Sequence, residues 1–132
     1  YDSKAERIAA KRTLAELVQL HRSSSPALAA MLTSFGNAIR DPQNELVHLY
    51  EVRDALSVEL GGKSNAIATL GLTPIAWSRL GQLSNDEPLR QGRHRGKSGA
   101  ALRDATQTEL QEAREIARSM LSLYVNHLAS KA

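Results

Sequence analysis

A chain of 132 residues is long enough for one domain with a real core and too short for two comfortable ones. Apolar residues make up 42% of it and aromatic residues 4%; Ala and Leu predominate and runs of strand formers are absent, which favours an all-α fold. The absence of cysteine excludes disulfides, thiolate catalysis and cysteine-ligated zinc and suits a reducing, cytoplasmic setting, while a net charge of +3 is too small to name a partner by itself.

Charge interrupts every long apolar stretch and no leader pattern opens the chain, so neither a membrane span nor a secretion signal is expected. A start at Tyr1 rather than Met points either to a processed chain or to a piece of a longer polypeptide, in which an upstream domain would be expected. Within 1–132 a single helical domain is expected.

The first periodic segment runs from about Ser3 to His21, with Ile8, Leu14, Leu17, Val18 and Leu20 as its apolar stripe. Ser23, Ser24 and Ser25 break it. Ser25 reads as an N-cap and Pro26 as the first residue of a second helix through Leu28, Leu32, Phe35 and Ile39. Asp41 and Pro42 repeat the signal and open the strongest helix, Pro42 to Leu60. There Leu46, Leu49, Tyr50, Val52, Leu56 and Leu60 recur at helical spacing and Gly61-Gly62 supplies the stop. This helix is expected at the centre of the core.

A short helix from about Ser64 to Leu70, closed by Gly71, precedes another opened by Thr73 and Pro74 and carrying Trp77 and Leu80. From Asn85 to Arg103 the periodicity is lost, and Pro88, Gly92, Gly96 and Gly99 mark a loop or lid. Thr106 and Glu109 then spell a capping box. Leu110, Ala113, Ile116, Ala117, Met120, Leu121, Tyr124 and Leu128 form the apolar face of a long last helix.

Two constellations carry chemistry. In PLRQGRHRGKSGAALR, Pro88 to Arg103, the residues Arg90, Arg93, Arg95, Lys97 and Arg103 are basic and none is acidic. Arginine forks pair bidentately with phosphate, glycines admit a ligand close to the backbone, and a following helix N-terminus favours an anion. His94 lies between two cations that favour its neutral form, able to take a proton from a ribose 2′-hydroxyl. A solvated basic loop is the plainer reading of the same residues. The second constellation, AIATLGLTPIAWSRL from Ala66 to Leu80, resembles a DNA-binding helix-turn-helix that would turn Thr73, Pro74, Ala76, Ser78 and Arg79 toward a groove, with Arg79 its one strong reader. A corner between two short helices of a bundle is the favoured reading of the segment. His21, His48 and His127 have no second histidine or carboxylate at ligand spacing, so no metal site is expected. Nor is there a nucleotide fingerprint, a nucleophile elbow or a paired-carboxylate signature, and no cofactor is implied.

The order of a central helix containing ELVHLYEVRDAL, a segment ending in LGQLSND, then RQGRHRG, then a long amphipathic helix resembles the HEPN superfamily, particularly the HEPN-like C-terminal domains of bacterial defence and abortive-infection proteins. The resemblance covers Asn37 to Leu128, preceded by N-terminal helices over 3–40. It implies a helical bundle that pairs as a homodimer, binds RNA in the cleft between subunits and, in active members, cuts it without metal by attack of the 2′-hydroxyl on the adjacent phosphate. Carried onto this chain, Arg90 is the motif arginine and His94 the motif histidine, with Asn85, Arg93 and Arg95 as phosphate or base contacts; outside the resemblance, Lys97 of the basic run and Arg79 of the helix-turn-helix segment are further candidate nucleic-acid contacts. Gln91, Gly92 and Arg93 separate Arg90 from His94, a shorter spacing than the family's motif usually has, and many HEPN-like domains bind RNA or assemble without cutting it. A DNA-binding regulator using residues 66–80 and a helical dimerisation or scaffold module are the alternative readings.

Overall fold

A computed structural model describes residues 3–93 and 101–131, in backbone alone for 3–4 and 7–13. Its helices are α1 (Ser3–His21), α2 (Pro26–Arg40), α3 (Glu45–Leu60), α4 (Lys63–Leu70), α5 (Pro74–Gly81) and α6 (Gln107–Lys131), with no strand among the described residues. The all-α expectation is met. None of these helices is long and apolar enough to cross a membrane.

Side-chain caps set several boundaries. The Ser25 hydroxyl accepts from the Leu28 amide at 3.2 Å, and Pro26 fills a first-turn position where its missing N–H costs nothing. Pro42–Asn44 tightens into a separate 3-10 turn, so the third α-helix starts at Glu45 rather than at Pro42. Gly61 and Gly71 end α3 and α4 in the left-handed conformation. At α6 the capping box closes in both directions, with Glu109 N donating to Thr106 Oγ1 at 3.1 Å and Thr106 N to Glu109 Oε1 at 2.9 Å.

Helix α3 lies at the centre, packed against α2, α4, α5 and α6. Leu46, Leu49, Val52 and Leu56 are fully buried, each leucine contributing about 1.5–3 kcal/mol by leaving water. They meet Leu28 and Met31 of α2 and Ala113, Ala117, Met120 and Val125 of α6 in one core. Tyr124 joins this core, its hydroxyl 3.4 Å from Ser25 Oγ, and burial raises its pKa.

Two expected stripes are narrower than the spacing implied. Leu20 and Ile39 face solvent, 68% and 72% exposed. The buried face of α2 runs through Leu28, Met31, Ser34 and Ala38, which turns Ile39 away by one helical step. The stretch read as a loop from Asn85 is also more ordered than expected. A π-helical turn covers Gln82–Asp86, Leu83 and Leu89 are buried, and an isolated bridge pairs Leu89 with Arg103. Arg90 N donates to Arg103 O and Arg103 N to Pro88 O, both at 3.0 Å. This stem holds together the two pieces of chain that flank residues 94–100.

Candidate nucleic-acid interface

Tyr50 and Arg53 stand one turn apart on α3, spacing that puts both on one face. The Arg53 guanidinium lies 4.6 Å from the Tyr50 ring centroid and 4.9 Å from that of Trp77. Its Nη1 donates to the Trp77 carbonyl at 2.8 Å and its Nη2 to the Tyr50 hydroxyl at 3.1 Å. A Cβ at Gly81 would sit 2.6 Å from Arg53 Nη1, so the bare backbone at 81 makes room for the guanidinium. Arg53 thereby fastens α5 to α3 and fixes the Tyr50 ring.

That ring carries a second guanidinium. Arg93 lies 4.2 Å above its centroid, its Nη1 3.4 Å from Asn85 Oδ1 and its backbone N donating to Ser84 O at 2.7 Å. A Cβ at Gly92 would come within 2.7 Å of the Ser84 carbonyl oxygen and 3.3 Å of Leu89 O, which makes glycine a steric requirement here. Gln91 ties the same segment to both long helices: its carbonyl accepts from Val47 N at 3.2 Å in the first turn of α3, and its side-chain oxygen accepts from Ala105 N at 3.0 Å just before α6.

Among the expected contacts, the structure therefore brings Asn85 and Arg93 together. Arg90, 59% exposed at its side chain, lies 3.7 Å from Asp104. The two border a shallow cavity of about 400 Å³ with Gln43, Asn44, Gln91 and Leu102. His94, Arg95 and Lys97 lie outside the described residues, and with them the relation of Arg90 to His94.

The one-signed run of the sequence is partly neutralised in space. Arg103 makes a two-pronged pair with Glu109 at 2.8 and 2.9 Å, which holds the glutamate pKa down to about 2 and raises that of Arg103. Arg79 Nε bonds both carboxylate oxygens of Glu112, at 2.7 and 3.1 Å, so its guanidinium is engaged by α6. Thr73 caps its own helix through Ala76 N at 3.1 Å, and Trp77 and Leu80 are buried. Those contacts are the ones a bundle corner makes. By contrast, Arg93 has no carboxylate partner among the described residues.

The histidine reading needs one correction: His48 does have a carboxylate neighbour. Its Nε2 lies 2.9 Å from Asp41 Oδ2 and its Nδ1 4.0 Å from Glu51 Oε1, because the turn before α3 folds Asp41 back over the helix. No group of three metal-ligating side chains occurs among the described residues.

Sequence spacing alone missed the Tyr50, Arg53 and Trp77 cluster. The pairing of Tyr50 with Arg53 was available as an i, i+3 pair on a strong helix, whereas the approach of Trp77 and Arg93 depends on tertiary packing. Compared with protein-family models, curated proteins and solved structures, the chain matches none.

Proposed function

We propose that this chain is a HEPN-like RNA-binding domain in which residues 85–97 engage the phosphate backbone and His94, where the substrate is suitable, promotes metal-independent cleavage. The observation that carries the reading is the mounting of Arg93. Its guanidinium rests on Tyr50, its backbone is anchored to Ser84, and no carboxylate among the described residues engages it. A cation held in place without a neutralising acid is prepared for an anion, since little side-chain entropy remains to be lost on binding. Asn85 and the polar rim of Gln43, Asn44 and Gln91 supply donors and acceptors that read exposed base edges of unpaired RNA.

Residue 94 directly follows this anchored arginine. An imidazole there takes the 2′-hydroxyl proton, the 2′-oxygen bonds to phosphorus as the bond to the 5′-oxygen breaks, and that oxygen leaves with a proton from water to give a cyclic phosphate, while arginine offsets charge developing on the attacked phosphate. The deciding experiment incubates the chain with single-stranded and structured RNAs in excess EDTA, beside His94→Ala and Arg93→Gln. Cleavage by the parent and not by His94→Ala, with RNA binding retained by that variant and weakened by Arg93→Gln, is the expected result. Equal RNA affinity of the parent and Arg93→Gln at low salt overturns the interface.

A further inference from the structure

On another face, α2, α3 and α6 border a cavity of about 330 Å³. Phe35, Ile39 and Leu49 give it apolar walls, and Glu45, Arg114 and Arg118 line it as well. Glu45 is 5% exposed. Both of its carboxylate oxygens accept from Arg114, Oε2 from Nε and Oε1 from Nη2 at 2.8 Å. The pairing leaves Nη1 of Arg114 and the whole guanidinium of Arg118 without partners among the described residues. These two arginines are one turn apart on the same helix, close enough for a single anion to bridge them.

The charge count selects the ligand. Two arginines against one glutamate leave the lining with a net charge of +1, matched by one negative charge. A dianionic phosphate would bring excess charge toward the Glu45 carboxylate, whereas a carboxylate fits the planar guanidinium fork. The apolar walls call for a hydrocarbon body, and the exposed Ile39 side chain gives that body uncovered apolar surface at the mouth. The size suits a small molecule, since ligand pockets run from about 300 to 1,000 Å³.

We propose that this cavity binds a small amphiphilic monocarboxylate, its chain against Phe35 and Ile39 and its carboxylate on Arg118 and Nη1 of Arg114. The site is separate from the Tyr50 and Arg93 cluster and stands whether or not the chain binds RNA.

Isothermal titration calorimetry with octanoate, decanoate, decanol and decyl phosphate tests it, on the parent and on Arg118→Gln and Ile39→Asp. Both substitutions change exposed side chains, and circular dichroism verifies that each variant is folded. Decanoate is expected to bind more tightly than octanoate and than decanol. Arg118→Gln should weaken decanoate about tenfold, the scale of one charge-assisted hydrogen bond, and leave decanol unchanged; Ile39→Asp should weaken both. Absence of decanoate binding at millimolar concentration overturns the site, as does unchanged decanoate affinity in Arg118→Gln. Tighter binding of decanol or decyl phosphate than of decanoate overturns the assignment of the ligand as a carboxylate.

Discussion

The guanidinium of Arg93 stacks 4.2 Å from the ring centroid of Tyr50, and Arg53 stacks on the same ring at 4.6 Å. One aromatic side chain thus links the basic loop to the central helix. At exposed positions such a contact contributes about 0.5–1 kcal/mol, enough to bias where Arg93 points. Tyr50→Leu should therefore weaken RNA binding about twofold to fivefold through a less organised Arg93, whereas Tyr50→Phe, which keeps the ring, should stay near the parent. Fluorescence anisotropy with a labelled single-stranded RNA makes the comparison, and equal affinity in all three proteins would remove Tyr50 from the interface.

Arg90 stands differently, since Asp104 lies 3.7 Å away and both side chains are well exposed. Surface pairs of this kind are weak and salt-screened, so the acid competes with an incoming phosphate only modestly. Asp104→Asn should tighten RNA binding about two- to fivefold, the range set by an exposed ion pair, and Arg90→Gln should abolish that gain. If Asp104→Asn instead lowers affinity, its role is to position Gln91, whose side-chain nitrogen reaches Asp104 Oδ1 at 3.4 Å.

Local signals made the helical frame legible: Ser25-Pro26, Gly61-Gly62, Gly71, Thr73-Pro74 and the Thr106 and Glu109 box act within a few residues, and the chain folds at each as that chemistry requires. Leu83 and Leu89 escaped notice because burial there comes from a π-helical turn and a short stem, which have neither a 3.6-residue nor a two-residue period. The basic run was legible as composition but not as electrostatics. Only folding brings Glu109 onto Arg103 and Glu112 onto Arg79, leaving Arg93 without a carboxylate partner among the described residues.

The pairing of Glu109 with Arg103 has a pH signature. Its folded pKa of about 2 lies below the ordinary glutamate value of about 4.5, so the ionised form is favoured in the folded state. The stabilisation is complete above about pH 4.5 and is lost as pH falls toward about 2. Because Arg103 is about half exposed, solvent screening keeps the contribution of the pair small. Glu109→Gln keeps an oxygen for the Thr106 amide but loses the charge. Its melting temperature should lie below the parent's near neutral pH, converge with it near pH 2, and differ less in high salt. A constant gap across that range would assign the loss to the cap rather than to the ion pair.

Two apolar positions expected in the core separate sharply on folding. Leu49 is fully buried, while Ile116 is only half-buried at the edge of the same cluster. Leu49→Ala removes atoms packed among α2, α3 and α6 and should cost about 2–5 kcal/mol, including the term for the cavity left behind. Ile116→Ala, with water already reaching part of its side chain, should cost about 1–2 kcal/mol. Urea denaturation followed by circular dichroism resolves the difference, provided both variants retain the parent's m-value. Equal losses at the two positions would mean that α6 is covered more completely in solution, as pairing of two copies through that edge would do; repeating the titration at tenfold lower protein concentration would then lower the Ile116 loss and leave that of Leu49 unchanged.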